Sequence, residues 1–370
     1  MHRARDSLTP RRTFPFGKEL LVFPVNYFGV VILLAVLNVA STASSQTKKP
    51  ATLAELAVYS GADREQLLLA GAKAEGKVVW FTSFTGSSYK ELARSFEARY
   101  PAVKVEIYRA ANKELQTKLM AEIQTNHHLA DSIESTLPLL QALRESGMLV
   151  PYASPHAGQY AAAAKEKTGN ELFYWLIHRE SYNGVGYNTD LIPAAAVPKT
   201  FADLLKPQFK GKMGFANGDT GARMIGAMLK VKGVKKLQTQ NYSLHSISAR
   251  AVADLVASGE LELSPTISFE HAAEVKGKGG PVGWTPMEVV PTNAGGAALV
   301  AHAPHPHAAL LMVDFIASPQ GRKIFGDQQQ AAVARELSSK RWYPESGLTS
   351  AQYEDRLEQW LKLLRDVKRK

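Results

Sequence analysis

Residues 77–110 read KVVWFTSFTGSSYKELARSFEARYPAVKVEIYRA, and their hydrophobic period changes twice. Val78 to Phe81 is a short, wholly apolar run, the pattern of a strand covered on both faces. Thr82 to Ser88 is a small, hydroxyl-rich loop. Leu92, Phe96 and Tyr100 then recur at spacing four, which predicts a helix, and Pro101 stops it. Val103, Val105 and Ile107 alternate, which predicts a second strand. Strand, loop, helix and strand in this order make a βαβ unit with two parallel strands. A chain that begins so is committed to a layered α/β domain.

The rest of the chain continues the alternation. A helix is predicted over 63–74, ending at Gly76, and another over 114–124. LADSIEST gives a short strand and loop, and LPLLQALRESGML a helix. A second region begins near Phe173, with strand character from Gly184 to Tyr187, a short helix, a strand at 212–216 and a helix opening near Thr220. Helix, strand, helix and strand follow to about Met287. The last third gives a strand, a His-Pro loop and a helix pair. The tail is an amphipathic helix with Tyr353, Leu357, Trp360, Leu361 and Leu364 on one face, expected to pack on the body. At 370 residues the chain is too long for one small core, so two lobes are expected.

Composition excludes several function classes. There is no cysteine, which removes disulfides, thiolate metal sites and cysteine nucleophiles together. The net charge of +10 fits solubility or steering of an anionic ligand. No basic stripe interleaved with aromatics is present, so nucleic acid is not an expected partner. Nor is there a G-x-S-x-G, an H-E-x-x-H or a P-loop. The first 43 residues have a basic start, an apolar run from about Tyr27 to Ala40, and small residues Ser41 and Ala43 before a plausible cleavage point. That is the pattern of a secretory signal peptide, and the apolar run is shorter than the roughly 20 residues a spanning helix needs. Residues 44–76 then form a linker and an N-terminal helix, and the mature chain is expected to be exported to the periplasm.

His302, His305 and His307 lie within HAPHPH. A metal site needs side chains that converge on one point and are fixed by further partners. Pro304 and Pro306 stiffen the loop, and Pro306 disfavours helix at His305, so a helix should start near His307. The loop is expected to be structural, with no metal.

Several stretches, taken in order, resemble the periplasmic solute-binding proteins of ABC importers, in particular their ferric-iron-binding-like branch. These are the 77–110 stretch, ADSIESTLPLLQALRESGMLVPYASP, YNGVGYNTDLI with VPKTFADLLKPQFKGKMGFANGDTG, ASGELELSPTISFEH, and APHPHAALLMVDFIASPQGRKIF. The resemblance runs from about Lys77 to Asp327. It implies a two-lobed type II periplasmic-binding-protein fold, with doubly wound mixed sheets and a hinge between lobes. Lobe one would be 77–178 and 286–370, lobe two 179–285, with the hinge near 178–184 and 283–287. It also implies a monomer that closes on a small-molecule solute and delivers it to an ABC permease in the inner membrane, with no catalysis and no cofactor. A sensor subunit reporting to a signalling receptor is an alternative of the same form.

In such sheets ligands sit beyond the C-terminal ends of strands. That selects Thr82, Ser83, Phe84 and Thr85, then Glu134 and Ser135 with Thr136. In lobe two it selects Asn217, Asp219, Thr220 and Gly221, then Thr266, Ser268, Phe269 and Glu270, with Arg109 and Arg179 near by. FTGSS and NGDTGA offer hydroxyls and backbone N–H groups at helix starts, which suits a carboxylate or phosphate, although ordinary N-capping by Ser87 or Asp219 explains them equally. Ferric-binding members commonly carry two adjacent tyrosines where this chain reads Ser268-Phe269-Glu270-His271, and no Tyr-Tyr pair occurs anywhere. The expected solute is therefore an organic or phosphorylated anion, with ferric iron as the alternative. Asp131 and Glu134 keep a cationic amine open.

Overall fold

The computed structural model describes residues 50–84, 88–169, 171–231, 234–326 and 336–369. The expected signal peptide and Thr85 lie outside the described residues.

Two helices precede the first strand. α1 (Leu53–Val58) falls in the stretch read as linker and is opened by a capping box between Thr52 and Glu55. α2 (Arg64–Glu75) ends at Gly76, whose φ of 76° needs a residue without Cβ. The βαβ unit follows as β1 (Lys77–Thr82), α3 (Ser88–Arg99) and β2 (Lys104–Arg109). α4 (Asn112–Gln124), β3 (Ser132–Thr136) and α5 (Leu137–Glu145) continue it. β1 pairs in parallel with both β2 and β3. β2 is the edge, so its alternation is only half covered and Ile107 stays exposed.

Short strands β4 (Leu149–Val150) and β5 (Lys165–Lys167) lead to β6 (Phe173–Asn188). Only Gly184 to Tyr187 had strand character in the sequence, yet β6 runs for 16 residues. Beyond it come β7 (Gly214–Ala216), α6 (Asp219–Lys230), β8 (Ser243–His245), α7 (Ala249–Ala257), β9 (Leu263–Ser268), α8 (Phe269–Gly277) and β10 (Val282–Thr285). β11 (Val290–Val300) returns, followed by α9 (Pro306–Ala317), α10 (Pro319–Phe325), β12 (Arg341–Trp342) and α11 (Ser350–Arg369).

β6 joins the two halves. Its first part pairs with β11, which in turn pairs with β3, while its last part pairs with β9 and β10. The main sheet thus runs β10-β6-β11-β3-β1-β2, with β7 and β8 in a parallel pair of their own. Its mixed character follows from the antiparallel β6 and β11.

The first core gathers Leu68, Trp80, Leu92 and Phe96 around helix α9, which is buried from Ala308 to Ala317. α1 and α2 belong to this core. Arg64 on α2 makes a buried ion pair with Asp314 on α9. Glu75 accepts from the N–H groups of His307 and Ala308 at 3.1 and 2.8 Å, which caps α9 with a carboxylate from another helix. The three loop histidines turn to three different partners. His307 Nδ1 lies 2.6 Å from Glu75, His305 Nδ1 lies 2.8 Å from Asp131, and His302 stacks on His128 at 4.7 Å.

The second core gathers Phe215, Met224, Ile225, Met228 and Tyr242, and the tail helix is part of it. Trp360 and Leu364 of α11 are buried against α6, and the Tyr242 hydroxyl donates to the Leu364 carbonyl at 2.7 Å. Sequence had attached residues up to 370 to lobe one. The apolar face of α11 instead lies on α6, because Gly226 leaves room for the Trp342 and Trp360 rings. Its N-terminal end still touches the first half, where Ser350 donates to Glu145 on α5.

Candidate functional site

A cleft of about 1340 Å³ opens beside the middle of β6, lined from both halves of the chain. Its floor is set by a register shift. Gly295 faces Arg179 and Gly296 faces Ile177, so His178 is an extra residue in β6. Such a bulge re-aims the neighbouring side chain, and Arg179 becomes a lining residue. The guanidinium passes over Gly295, where a Cβ would lie 2.5 Å from its central carbon. Arg179 donates to Glu134 at 2.7 Å and lies 4.9 Å over the Phe84 ring. Burial, with the Arg179 charge beside it, holds the His178 imidazole well below the usual histidine range, and so neutral.

The walls are mostly helix starts. Ser88 of α3, Asn112 of α4, Thr136 at the cap of α5, Asp219 and Thr220 of α6, Ser248 and Ala249 of α7, and Ser268 and Phe269 of α8 all line the cleft. Each helix N-terminus carries free N–H donors and partial positive charge. Ser248 and Ser268 use their own hydroxyls as caps, on Ala251 and His271. α6 starts at Gly218 with no side-chain cap, so its first N–H groups stay available.

Charged side chains complete the walls. Arg250 is held by Asp254 at 2.6 Å and Glu274 at 3.0 Å, and hydrogen bonds from Arg250 and Lys278 keep the Glu274 carboxyl down at about 2. Glu180 takes Arg341 at 2.8 Å and the Tyr182 hydroxyl at 2.6 Å. Ser181 donates to Glu270 at 3.0 Å. Phe269 meets Trp284 edge-on at 5.5 Å. No tyrosine lines the cleft among the described residues.

Of the residues selected from sequence, the cleft brings together Ser83, Phe84, Thr136, Arg179, Asp219, Thr220, Ser268, Phe269 and Glu270. Thr82, Glu134, Ser135 and Thr266 are fully buried behind it. Thr82 donates to Glu134 at 2.6 Å, Ser135 bonds Ser83 and Asn112, and Thr266 accepts from the Ala216 N–H. These residues lie one layer beneath the lining, where Glu134 holds Arg179 and Ser135 holds Ser83 and Asn112, so they orient it without being exposed in the cleft. Gly221 packs against the Ala216 carbonyl, where a Cβ would lie 2.1 Å away. Asn217 sits beside the cleft, bonded to Ser246 and Arg365. Arg109 is turned to the Phe84 carbonyl and steadies that loop.

Sequence reasoning passed over Asn112, Glu180, Ser181, Asn183, Arg223, Arg250 and Asn293, all of which line the cleft. Arg223 carried a usable signal. It lies four residues after Asp219 on α6, hence on the same helix face. Glu180, Ser181 and Asn183 follow the bulge along β6, Asn293 lies on the neighbouring β11, and Asn112 and Arg250 stand at the starts of α4 and α7.

The model of the bacterial extracellular solute-binding proteins matches residues 91–332. Comparison with curated proteins finds no match. Among solved structures, iron-bound HitA from Pseudomonas aeruginosa is 20% identical with a TM-score of 0.57, over 79% of this chain and 99% of that one. The periplasmic binding protein AfuA from Actinobacillus pleuropneumoniae, with exogenous fructose 6-phosphate bound, is 21% identical with a TM-score of 0.57, over 79% and 99%. The substrate-binding protein of an ABC transporter from Agrobacterium tumefaciens is 14% identical with a TM-score of 0.64, over 80% and 97%. The fold is the type II periplasmic-binding-protein fold expected from sequence. With the family model covering most of the folded body and the cleft at the junction of its halves, the chain belongs to the bacterial extracellular solute-binding proteins and is a substrate-binding protein.

Proposed function

We propose that this protein is the periplasmic solute-capturing component of an ABC importer, and that its solute is a small organic or phosphorylated anion. The observation that carries this reading is the convergence of six helix starts on one cleft together with Arg179. Free N–H groups, a partial positive potential and a guanidinium all favour carboxylate or phosphate oxygens. The carboxylates of the cleft wall are mostly engaged, Glu274 and Asp254 by Arg250 and Glu180 by Arg341, which leaves less of their charge to repel such a solute. Ferric iron fits less well, because the phenolates that suit a hard trivalent cation are missing from the described lining, and the family resemblance sets Phe269 where such tyrosines would stand. Among the described residues no helix is long and apolar enough to cross a membrane. Ser83, Phe84, Thr85, Asp219, Thr220, Ser268, Phe269 and Glu270 are the proposed contacts, and a monomer the proposed form.

Native mass spectrometry of the mature protein from its periplasm, with metal analysis on the same sample, tests this. A co-purified anion near one per chain is expected, released on mild denaturation. Stoichiometric iron without such an anion would overturn the proposed solute class.

A further inference from the structure

Along β6 the floor of the cleft changes character. Arg179, Ser181 and Asn183 alternate on the strand and all line the cleft, while Tyr182 between the last two is buried with Val290 and Leu337. At about 3.3 Å per residue, Arg179 and Asn183 stand about 13 Å apart along the strand. Their side chains serve different halves of the sheet. Arg179 reaches over Gly295 to Glu134 on β3, whereas Asn183 is in register with Ser268 of β9. One group of a solute therefore meets Arg179 and another meets Asn183. Asn183 is only 4% exposed, and its Nδ2 is buried with no hydrogen-bond partner among the described residues. A buried amide donor left unpaired is costly, so an orphan of this kind in the wall of a cleft calls for an acceptor that arrives with the solute. The surroundings say which acceptor. Ser181 donates to Glu270 at 3.0 Å, Glu180 takes Arg341 at 2.8 Å, and Asn293 lies across from Ser181 on β11. A second anionic group would here face two carboxylates, Glu180 and Glu270. An ammonium group has no acceptor and would leave the Asn183 donor unpaired. A hydroxyl suits both neighbours, because it accepts from an amide N–H and donates to a carboxylate oxygen.

We propose that Asn183 is a specificity-determining residue of the cleft, that its amide reads a hydroxyl of the solute, and that the solute is a hydroxylated anion. Its phosphate or carboxylate head lies towards Arg179, and its polyol body over Ser181, Asn183 and Asn293. The anionic head rests on the reading proposed above, whereas the hydroxyl site does not.

The test uses three monophosphate esters of a six-carbon chain, glucitol phosphate, hexyl phosphate and aminohexyl phosphate, each esterified at the chain end. They are titrated calorimetrically into the intact mature protein after any co-purified solute has been stripped, with neutral glucitol beside them. Glucitol phosphate should bind about tenfold tighter than hexyl phosphate, the ratio that one net hydrogen bond supports. In Asn183→Leu the two should bind within about twofold of each other. The solute-free variant should keep the wild-type Tm or exceed it, because it loses an unpaired buried donor. A residue that merely held the sheet together would instead lower Tm and leave the ratio of affinities in place. If the larger leucine crowds the sheet and Tm falls, Asn183→Ala gives the decision on the same ratio. Glucitol phosphate that binds the wild type no tighter than hexyl phosphate, or not at all, overturns the proposal, and so does a preference that survives in Asn183→Ala. Tighter binding of aminohexyl phosphate than of glucitol phosphate also overturns it, in favour of a cation at that end. Neutral glucitol binding as tightly as its phosphate, with the affinity lost in Asn183→Ala, upholds the hydroxyl site and removes the anion reading alone.

Discussion

Glu134 gives the most direct test of how the cleft floor is built. Its carboxylate has no exposure and accepts from Thr82 at 2.6 Å and from Arg179 at 2.7 Å, and the Arg179 side chain is only 10% exposed. Glu134→Gln keeps the shape and one acceptor but removes the charge, leaving a guanidinium in a largely dry setting. Removing one member of a buried pair costs about 3–5 kcal/mol. The amide oxygen can still accept one bond, so the lower end, about 3 kcal/mol, is expected. At about 2 °C per kcal/mol for a chain of this size, Tm should fall by about 6 °C. Urea unfolding should show the same loss at unchanged m. The double variant Glu134→Gln, Arg179→Met removes both charges and should recover most of the deficit, since a missing pair costs less than a broken one. A loss of about 1 kcal/mol or less in the single variant, the range of an exposed ion pair, would refute the reasoning and place Arg179 in water.

Other consequences are equally concrete. Burial raises the Asp131 carboxyl to about 6, even though it accepts from Val79 and His305, so the fold holds its proton more tightly than the unfolded chain. This contribution is fully present below about pH 4 and is lost as pH rises through about 6. Asp131→Asn should flatten the Tm profile over that window, and an unchanged profile would contradict the assignment. Trp360→Ala should cost about 3–5 kcal/mol and expose the tail first, read as early hydrogen exchange in α11 and α6. Glu75→Ala removes the carboxylate from the start of α9 and should cost about 2 kcal/mol by chemical unfolding, with Glu75→Gln recovering part of it. Phe269→Ala should weaken solute binding without unfolding the protein, measured by Trp284 fluorescence. Normal binding by that variant would move the proposed contacts elsewhere.

Most elements were legible because their periodicity is strong and local. The βαβ opening, α7 through β10 and the amphipathic tail lie close to where the hydrophobic pattern put them. Positions set by tertiary contact were not legible. α1 looked like linker because it is short and half exposed, and it takes the tertiary core around α9 to bury Leu56 and Ala57. β6 hid in FYWLIHRESYNGVGYN because polar residues interrupt it where it faces the cleft. For the site, the rule that strand ends carry ligands found the right loops but counted every residue in them, so Thr82, Glu134, Ser135 and Thr266 were selected although they are fully buried beneath the lining. Arg223 was missed for the opposite reason, since it stands one turn inside a helix.

The docking of the opening helices on α9 has a consequence in time. Arg64 meets Asp314 and Glu75 meets His307, contacts separated by 250 and 232 residues. The first core therefore cannot close until nearly the whole chain is available. Contacts of such sequence separation slow folding. A chain released before Pro306 should keep α2 and β1 open to protease while the intact chain protects them, and equal protection would show that the opening helices find another partner first. Late closure keeps the polypeptide threadable until its last third has been made, a property that would suit the proposed export to the periplasm.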